Sequence, residues 1–428
     1  MKRLLIISPY FPPTNAADMQ RVRMSLPYFH DLGYSVEVVA VYPKFSNMPV
    51  DILLNEAIPP FVTIHYVDAL NAQFTSKIGL GSIALRSFQY YKKYVNGLLS
   101  RQKFDLIYFS TTQYPLCVLG AYWKKRFGVP YVIDVQDPWH TDYYQGKPKS
   151  QRPKKYWFSY RLNKWLEPRA MKNVDGLVSV SDTYIEDLRQ RYPEIGNVPS
   201  ATITFGAFAP DMDIAVKHAA EFPALLNPSY KNIMYIGRGG NDMQAALTKL
   251  FEGFKQGLQA NHRLFSQLRL HFIGTSYAPN GQGIPTIQPL ADSFGITEYV
   301  IEQTDRISYY HTLATLNLAD GLFIPGSDSP GYTASKIYPY LLASKPLLAI
   351  FAEGSPALKV LNEYGVKDAY SFTEASAAAV MDFLRDVAAV KSAIRTYNGE
   401  AIEKYSAQNM AVLQCRLFDR VIKAGQNK

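Results

Sequence analysis

The sequence contains little cysteine and no long uninterrupted apolar segment. Its two cysteines, Cys117 and Cys415, lie about 300 positions apart in a chain of 428 residues, which excludes a disulfide framework and a cysteine-based metal cluster. No stretch reaches about 18 consecutive apolar residues, the length that spans a membrane. Only Leu4–Ile7 separate the basic start from Ser8, and this run is too short for a secretory signal. We therefore expect a protein that is made and retained in the cytoplasm.

Positively charged residues are in excess only in the first half of the chain. The formal net charge is +9: residues 1–200 hold 25 Lys and Arg against 16 Asp and Glu, whereas residues 201–428 hold 20 of each. Two segments account for the excess: residues 71–103, which contain no acid, and residues 147–172, which contain nine basic residues and only Glu167. Aromatic residues are interleaved in both. This pattern suits an anionic bilayer surface, single-stranded nucleic acid or a solvated helix face.

Short apolar runs alternate with amphipathic stretches twice along the chain. Runs of strand length occur at 4–7, 36–41, 61–67, 106–109, 131–135 and 177–180, and again at 233–236, 268–273, 322–324 and 347–351. Nearly continuous apolar runs are typical of parallel strands that are covered on both faces. The sequence therefore predicts an α/β protein with two doubly wound, Rossmann-like domains. Ligands of such sheets bind at the carboxyl ends of the strands, and we expect them in a cleft between the domains.

Three loops after predicted strands carry residues suited to ligand binding. Residues 8–18 lead into a helix, whose first N–H groups can face a ligand. Gly237-Arg238-Gly239 combines glycines, which let the backbone approach a phosphate, with a guanidinium that can bind it through paired hydrogen bonds. Ser335 and Lys336 end a third loop at a predicted helix start, where N–H groups and an ammonium converge. The alternative is that each loop is an ordinary turn or helix cap.

Together these segments resemble the nucleotide-sugar glycosyltransferases of family 4, which have the GT-B fold. The resemblance rests on residues 9–13, Pro-Tyr-Phe-Pro-Pro, on Gly237-Arg238, and on Ser335-Lys336 followed by Tyr340-Leu341 and Lys345-Pro346. Their order and spacing match over roughly residues 1–370. The resemblance implies an acceptor-binding domain at 1–205, a nucleotide-sugar-binding domain at 206–400, and a C-terminal helix at 401–428 that packs back on the first domain.

The sequence departs from the family pattern at positions that usually bind the donor. The two glutamates around the family's donor loop correspond to Gly331 and Pro339, and the lysine that usually follows the Gly-Arg pair corresponds to Met243. The resemblance thus leaves Arg238 and Lys336 as the cations for the donor diphosphate. The donor-binding candidates are Gly237, Arg238, Gly239, Gly274, Thr275, Ser327, Tyr332, Thr333, Ala334, Ser335 and Lys336.

A polar loop after the predicted strand 131–135 supplies the candidates for the reaction centre. Asp137 is the main one, because a carboxylate can accept the proton of an acceptor hydroxyl or stabilise an oxocarbenium ion; the alternative is a loop cap beside a proline. Gln136, which stands where many family members have histidine, and His140 are the further catalytic candidates, and Asp142 is a lesser one. The acceptor-binding candidates are Asn15, Ala16, Ser110, Thr111 and Trp139.

These observations lead to an expected function. The resemblance implies a glycosyltransferase that moves a sugar from a nucleotide sugar to a glycan with retention of configuration. No metal and no cofactor are expected, since no His, Asp or Glu cluster has metal-ligand spacing. Many relatives act on lipid-linked sugars, which favours an anionic membrane surface over nucleic acid as the partner of the basic segments. We therefore expect a lipid-linked acceptor, a peripheral position on the inner face of the cell membrane and a role in cell-surface polysaccharide synthesis.

Two alternatives remain open at the level of sequence. One is a catalytically silent GT-B protein that binds a glycan or a partner enzyme, which the missing glutamates at Gly331 and Pro339 favour. The other is a nucleotide-sugar epimerase, which needs several ionisable groups near the sugar ring of the donor.

Overall fold

The computed structural model describes residues 1–75, 79–152, 155–279, 281–328, 336–389 and 395–426. The chain divides into two compact units. The first unit comprises Met1–Gly206 and Ala407–Lys428, and the second comprises Ala207–Ser406. Each unit contains its own parallel sheet with flanking helices. This arrangement confirms the α/β fold class with two Rossmann-like domains.

The first unit is built on a sheet whose strands alternate with helices along the chain. Its strands are β1 Lys2–Ile7, β2 Tyr34–Val41, β3 Thr63–Val67, β4 Leu106–Ser110, β5 Tyr131–Val135, β6 Gly176–Ser179 and β7 Ser200–Thr202. Its helices before residue 206 are α1 Gln20–Phe29, α2 Ala72–Thr75, α3 Ile83–Arg101, α4 Val118–Phe127, α5 Tyr156–Met171 and α6 Asp182–Arg191. The strand order is β3-β2-β1-β4-β5-β6-β7, all parallel. The central strands β4 and β5 are buried throughout, because helices cover both faces of the sheet.

The second unit repeats this plan. Its strands are β8 Lys231–Ile236, β9 Leu268–Ile273, β10 Val300–Gln303, β11 Gly321–Pro325, β12 Leu347–Phe351 and β13 Asp368–Ser371. Its helices are α7 Ala209–Lys217, α8 Gln244–Ala260, α9 His262–Phe265, α10 Gln288–Phe294, α11 Tyr309–Leu318, α12 Ile337–Leu342, α13 Pro356–Tyr364, α14 Ala377–Ala389 and α15 Gly399–Lys404. The parallel order β10-β9-β8-β11-β12-β13 is that of the dinucleotide-binding Rossmann sheet.

The last helix, α16 Ala407–Gln426, belongs to the first unit. Its Phe418 ring packs against Phe29 and Tyr108, with ring centroids 6.2 and 4.9 Å apart, and Gln414 Nε2 donates to Ser25 Oγ at 3.2 Å. The helix begins at Ala407 rather than at residue 401, because residues 399–404 form the separate short helix α15, which belongs to the second unit.

Candidate functional site

In each sheet the strand order reverses direction at one point. The reversal lies between β1 and β4 in the first unit and between β8 and β11 in the second. At such a point the loops that follow the two strands diverge to opposite faces and leave a crevice at the carboxyl edge, where open α/β sheets bind their ligands. In each unit a ligand is therefore expected at the carboxyl edge of the sheet, against the loops that follow these strands and their neighbours.

The carboxyl edge of the second sheet holds the ammonium of Lys336 against the end of β8. Lys336 directly precedes α12, and its Nζ donates to Tyr235 Oη at 3.0 Å. Tyr340 Oη accepts the N–H of Ile236 at 2.8 Å, which fastens α12 to the same strand. A Cβ at Gly237 would lie 2.4 Å from Lys336 Nζ. The absence of a side chain at Gly237 therefore leaves room for the Lys336 ammonium, which brings these two donor-binding candidates together.

Burial gives Lys336 an unusual titration. Burial, and after it the positive charges of Arg238 and Arg306, lower the pKa of Lys336 to about 8. Arg306 lies in the loop after β10, where its Cγ faces the left-handed Gly274 at the end of β9, and its guanidinium stacks 4.0 Å from the Tyr277 ring. Neither Lys336 nor Arg306 has a carboxylate partner within the described ranges. The loops after β8, β9 and β10 and the start of α12 thus gather three cations.

Sequence reasoning missed Arg306. It follows β10, whose sequence Val-Ile-Glu-Gln is too polar to stand out as a buried strand, so the loop after it was not recognised as part of the carboxyl edge. A basic residue after an edge strand is the signal that could have found it.

Arg238 lies where the sequence placed it, but it already has a partner. Its Nη1 and Nη2 bind the two carboxylate oxygens of Asp242 at 2.9 and 2.5 Å. The guanidinium in turn holds the pKa of Asp242 below its usual range. A diphosphate must therefore compete with Asp242 for Arg238, and its charge is better balanced by Lys336 and Arg306.

Several predicted donor residues make bonds within the protein instead. The N–H of Gly239 donates to the carbonyl of Thr275 at 2.8 Å, so it cannot serve a phosphate as expected. The Thr275 hydroxyl donates to Glu302 Oε1 at 2.7 Å, and Ser327 is buried. These side chains hold the loops in place. The candidates Tyr332, Thr333, Ala334 and Ser335 lie outside the described residues, as does Gly331.

The carboxyl edge of the first sheet holds a buried polar network. Arg21 on α1 and Asp134 on β5 are both fully buried, with Arg21 Nε 2.8 Å from Asp134 Oδ2. Ser110 Oγ donates to the same carboxylate oxygen at 2.8 Å, and Gln136 Nε2 does so at 2.8 Å. A buried ion pair needs such additional hydrogen bonds, because its loss of hydration is costly. Ser110 and Gln136 therefore serve this ion pair rather than a substrate.

A second carboxylate belongs to the same network. Asp18 accepts hydrogen bonds from Thr111 Oγ1 at 2.8 Å and from the N–H of Thr112 at 3.1 Å. Burial raises the pKa of Asp18, against the opposite effect of these hydrogen bonds. Thr111 is thus committed to Asp18, and Ala16 is itself buried, so neither can contact an acceptor as expected; Asn15 remains half-buried. Sequence reasoning did not single out Asp18, although it is the one acid of the loop at residues 8–18.

Asp137 differs from these residues because its carboxylate is exposed. Its backbone N–H donates to Tyr114 Oη at 2.9 Å, and its carbonyl accepts from the same hydroxyl, which fixes the loop. The carboxylate itself forms no hydrogen bond within the described part of the chain. Partial burial, and after it the charge of Asp18, raise the pKa of Asp137. An uncommitted carboxylate with a raised pKa can act as an acid or a base.

His140 and Trp139 follow in the same loop and turn inward. The Trp139 ring stacks on Tyr114 and its indole N–H donates to Asn163 Oδ1 at 3.2 Å. His140 is only 8% exposed, and burial lowers its pKa, with the cation of Arg191 acting in the same direction. Its imidazole is therefore neutral at pH 7. Its Nε2 has no hydrogen-bond partner among the described residues.

These two residues line a cavity of about 170 Å³ between the loop after β5 and α5, which we call the aromatic cavity. Its lining consists of Trp139, His140, Thr141, Tyr144, Tyr156, Ser159, Tyr160 and Asn163. The lesser candidate Asp142 accepts the hydroxyl of Tyr160 at 2.7 Å. Among the residues that the structure describes, no acidic or basic side chain is part of this lining.

No group of three or more His, Cys, Asp or Glu side chains lies together in a metal-binding arrangement among the residues that the structure describes. In the same residues no helix is long and apolar enough to span a membrane.

Comparison with known proteins gives one family and many similar structures. Residues 25–203 match the model of the family described as Glycosyltransferase Family 4. The chain is similar to sucrose-phosphate synthase from Thermosynechococcus elongatus, with a TM-score of 0.56 and 12% identity over 99% of this chain and 100% of that chain. It is also similar to the N-terminal domain of trehalose-6-phosphate phosphatase from Candida albicans, with a TM-score of 0.58 and 14% identity over 98% and 97%. HepE from Anabaena, solved in complex with UDP, has a TM-score of 0.50 and 14% identity over 100% and 98%. No curated protein matches the sequence.

The two parallel Rossmann-like sheets, followed by a last helix that returns to the first unit, define the GT-B fold. The match over residues 25–203 covers most of the first unit. The chain therefore has the GT-B fold, and its first unit is similar to the glycosyltransferases of family 4.

Proposed function

We propose that the chain transfers a sugar from a nucleotide-sugar donor, bound by the second unit, to a glycan acceptor, bound by the first. The observation that carries the proposal is the buried ammonium of Lys336 beside Arg238 and Arg306. Because these cations repel one another, they favour a ligand that carries more than one negative charge. A diphosphate carries such charges, and the carboxyl edge of a Rossmann sheet is where a nucleotide diphosphate binds. The UDP bound in the HepE structure is a ligand of the same class.

The donor proposal is tested by titrating the chain with UDP, GDP and ADP in a calorimeter. At least one nucleotide should bind. Arg306→Ala should weaken its binding by about tenfold or more, because a charge-assisted hydrogen bond contributes about 1.5–3 kcal/mol. Arg263→Ala removes the same charge from the exposed surface of α9 and should leave the affinity unchanged. If none of the three nucleotides binds, the proposed function is wrong.

The reaction centre is proposed to lie at Asp137. Its free carboxylate is suited to receive the proton of the acceptor hydroxyl or to stabilise positive charge on the sugar ring. The resemblance to family 4 supports retention of configuration and a reaction without a metal. Product stereochemistry, read by NMR of the anomeric proton, distinguishes retention from inversion.

A lipid-linked acceptor is proposed from the exposed face of α5. Trp157 and Trp165 are 65% and 54% exposed, which is high for tryptophan, and Arg161 and Lys164 are exposed near them. At 100° per residue these four positions lie within one half of the helix. Tryptophan and basic residues on one face favour binding to an anionic membrane surface, so we propose a peripheral position on the inner face of the cell membrane. A role in cell-surface polysaccharide synthesis follows from such an acceptor.

Vesicle sedimentation tests this surface. Binding should be strong with acidic lipid, weak with neutral lipid, and reduced by salt, since each basic residue near the surface contributes about 1 kcal/mol. The double variant Arg161→Gln and Lys164→Gln should bind less. The double variant Arg416→Gln and Arg420→Gln, which makes the same charge change on exposed positions of α16, should bind normally. Equal binding to neutral and acidic vesicles would argue against a lipid-linked acceptor.

A catalytically silent protein is the second candidate. The observation in its favour is that Pro339, at a position where family members usually have glutamate, is part of α12 and cannot ionise. Slow hydrolysis of the bound nucleotide sugar, measured without any acceptor, separates the two candidates, since a silent protein binds the nucleotide but does not release the sugar.

A further inference from the structure

The aromatic cavity of the first unit contains two buried polar atoms without a partner. His140 Nε2 and Tyr156 Oη are inaccessible to solvent and have no hydrogen-bond partner among the described residues. Leaving a buried polar group unpaired is unfavourable, and native proteins leave few of them so. Both residues line the cavity, so a polar ligand that reaches these two atoms from the cavity would supply the missing partners.

The chemistry of the lining narrows the class of that ligand. The walls contain the aromatic rings of Trp139, Tyr144, Tyr156 and Tyr160, and the polar groups are hydroxyls, an amide and a neutral imidazole. The described part of the lining offers no charged side chain that would neutralise an ionic ligand. A purely apolar chain would leave the polar atoms unpaired. A sugar ring satisfies both requirements, because its C–H faces pack on aromatic rings while its hydroxyls donate and accept hydrogen bonds.

The two faces of α5 place this cavity beside the surface proposed to bind the membrane. Tyr156, Ser159, Tyr160 and Asn163 line the cavity at spacings of three and four, so they share one face of the helix. The exposed Trp157 lies 100° further round the helix, at the start of the other face. A sugar in the cavity can therefore be joined to a lipid that lies along the neighbouring surface.

We propose that the aromatic cavity binds one uncharged sugar ring of the acceptor, with His140 Nε2 and Tyr156 Oη as its buried hydrogen-bonding groups. This inference rests on the proposed function and assigns to its acceptor a binding site that the sequence indicated only through Trp139 and His140.

The test measures sugar binding directly, without turnover. Saturation-transfer NMR is recorded on the full chain with methyl α-glucoside, methyl α-mannoside, methyl β-galactoside and methyl N-acetyl-β-glucosaminide. At least one should receive saturation, with an affinity that falls about fivefold in Tyr156→Phe, which removes only the hydroxyl. Tyr143→Phe makes the same chemical change on an exposed tyrosine outside the cavity lining and should leave the affinity unchanged. Ser159→Tyr, from an exposed position of α5 at the cavity, should fill the space and abolish the signal.

The outcomes separate this inference from the proposed function because UDP binding is measured on the same samples. UDP binding without any glycoside signal, or with a signal that Tyr156→Phe and Ser159→Tyr leave unchanged, overturns the sugar site alone. Glycoside binding in the cavity with no binding of any nucleotide overturns the donor proposal and leaves a glycan-binding protein.

Discussion

Nucleotide binding should weaken as the pH rises through about 8, because Lys336 loses its proton there. A lysine ordinarily titrates near 10.5, but burial and two neighbouring cations lower the pKa of Lys336 to about 8. A diphosphate binds better to the protonated ammonium. Binding therefore becomes weaker when Lys336 of the free protein has lost its proton. The phosphate groups are almost fully ionised above pH 7.5, and ADP, whose base does not titrate between pH 7.5 and 9, shows whether the effect comes from the protein.

The magnitude follows from the fraction of Lys336 that carries its proton. With a pKa of about 8 this fraction is roughly nine-tenths at pH 7 and one-tenth at pH 9. If only the protonated form binds, the affinity falls by about tenfold over this range, or about 1.4 kcal/mol. Near pH 8 about half a proton should be taken up for each nucleotide bound, because the bound phosphate restores the ammonium.

Calorimetry in two buffers with different ionisation enthalpies measures both the affinity and the proton uptake. Lys336→Arg keeps the charge at all these pH values and should flatten the pH dependence, while Lys336→Met should weaken binding and flatten it as well. Lys345→Met is the matched control, since burial also lowers the pKa of that lysine but it lies two residues before β12, at the amino end of that strand. A constant affinity from pH 7.5 to 9, or an unchanged slope in Lys336→Met, would refute the assignment of Lys336 to the phosphate site.

Other perturbations test the first unit and the chemistry. Asp137→Asn should lower turnover by roughly a hundredfold in steady-state assays while nucleotide affinity stays constant; a change of only a few-fold would make Asp137 a structural residue. Asp134→Ala should lower the free energy of unfolding by about 3–5 kcal/mol in urea denaturation, because it leaves Arg21 buried without a counter-charge, and a loss below about 1 kcal/mol would contradict this reasoning. Activity should persist in excess EDTA; its loss, with recovery on adding Mg²⁺, would show that the reaction depends on a metal.

All the strands that the sequence did not predict lie at sheet edges, although one edge strand, β3, was predicted from the run at 61–67. Central strands such as β4 and β5 are buried on both faces, and their continuous apolar sequences revealed them. The unpredicted strands β7, β10 and β13 lie at sheet edges and are short, partly exposed and polar. An edge strand has a neighbour on one side only, so it tolerates polar residues and loses the apolar signal.

The sequence by itself determined the alternation of strands and helices, and with it two sheets of Rossmann order. It also predicted Gly237 and Lys336 as donor-binding candidates, each from the residue types and spacing of its own loop. These features depend on neighbours a few residues apart.

Only the tertiary structure decided which polar side chains are free to meet a ligand. Ser110 and Gln136 are engaged by the buried carboxylate of Asp134, whereas the buried polar atoms of His140 and Tyr156 have no partner in the described part of the chain. The reason is that hydrogen-bond partners come from distant segments: Gln136 also donates to the carbonyl of Asp18, 118 positions away. Composition and spacing show that a side chain is able to bind a ligand. The tertiary structure determines whether its polar groups already form hydrogen bonds with another residue.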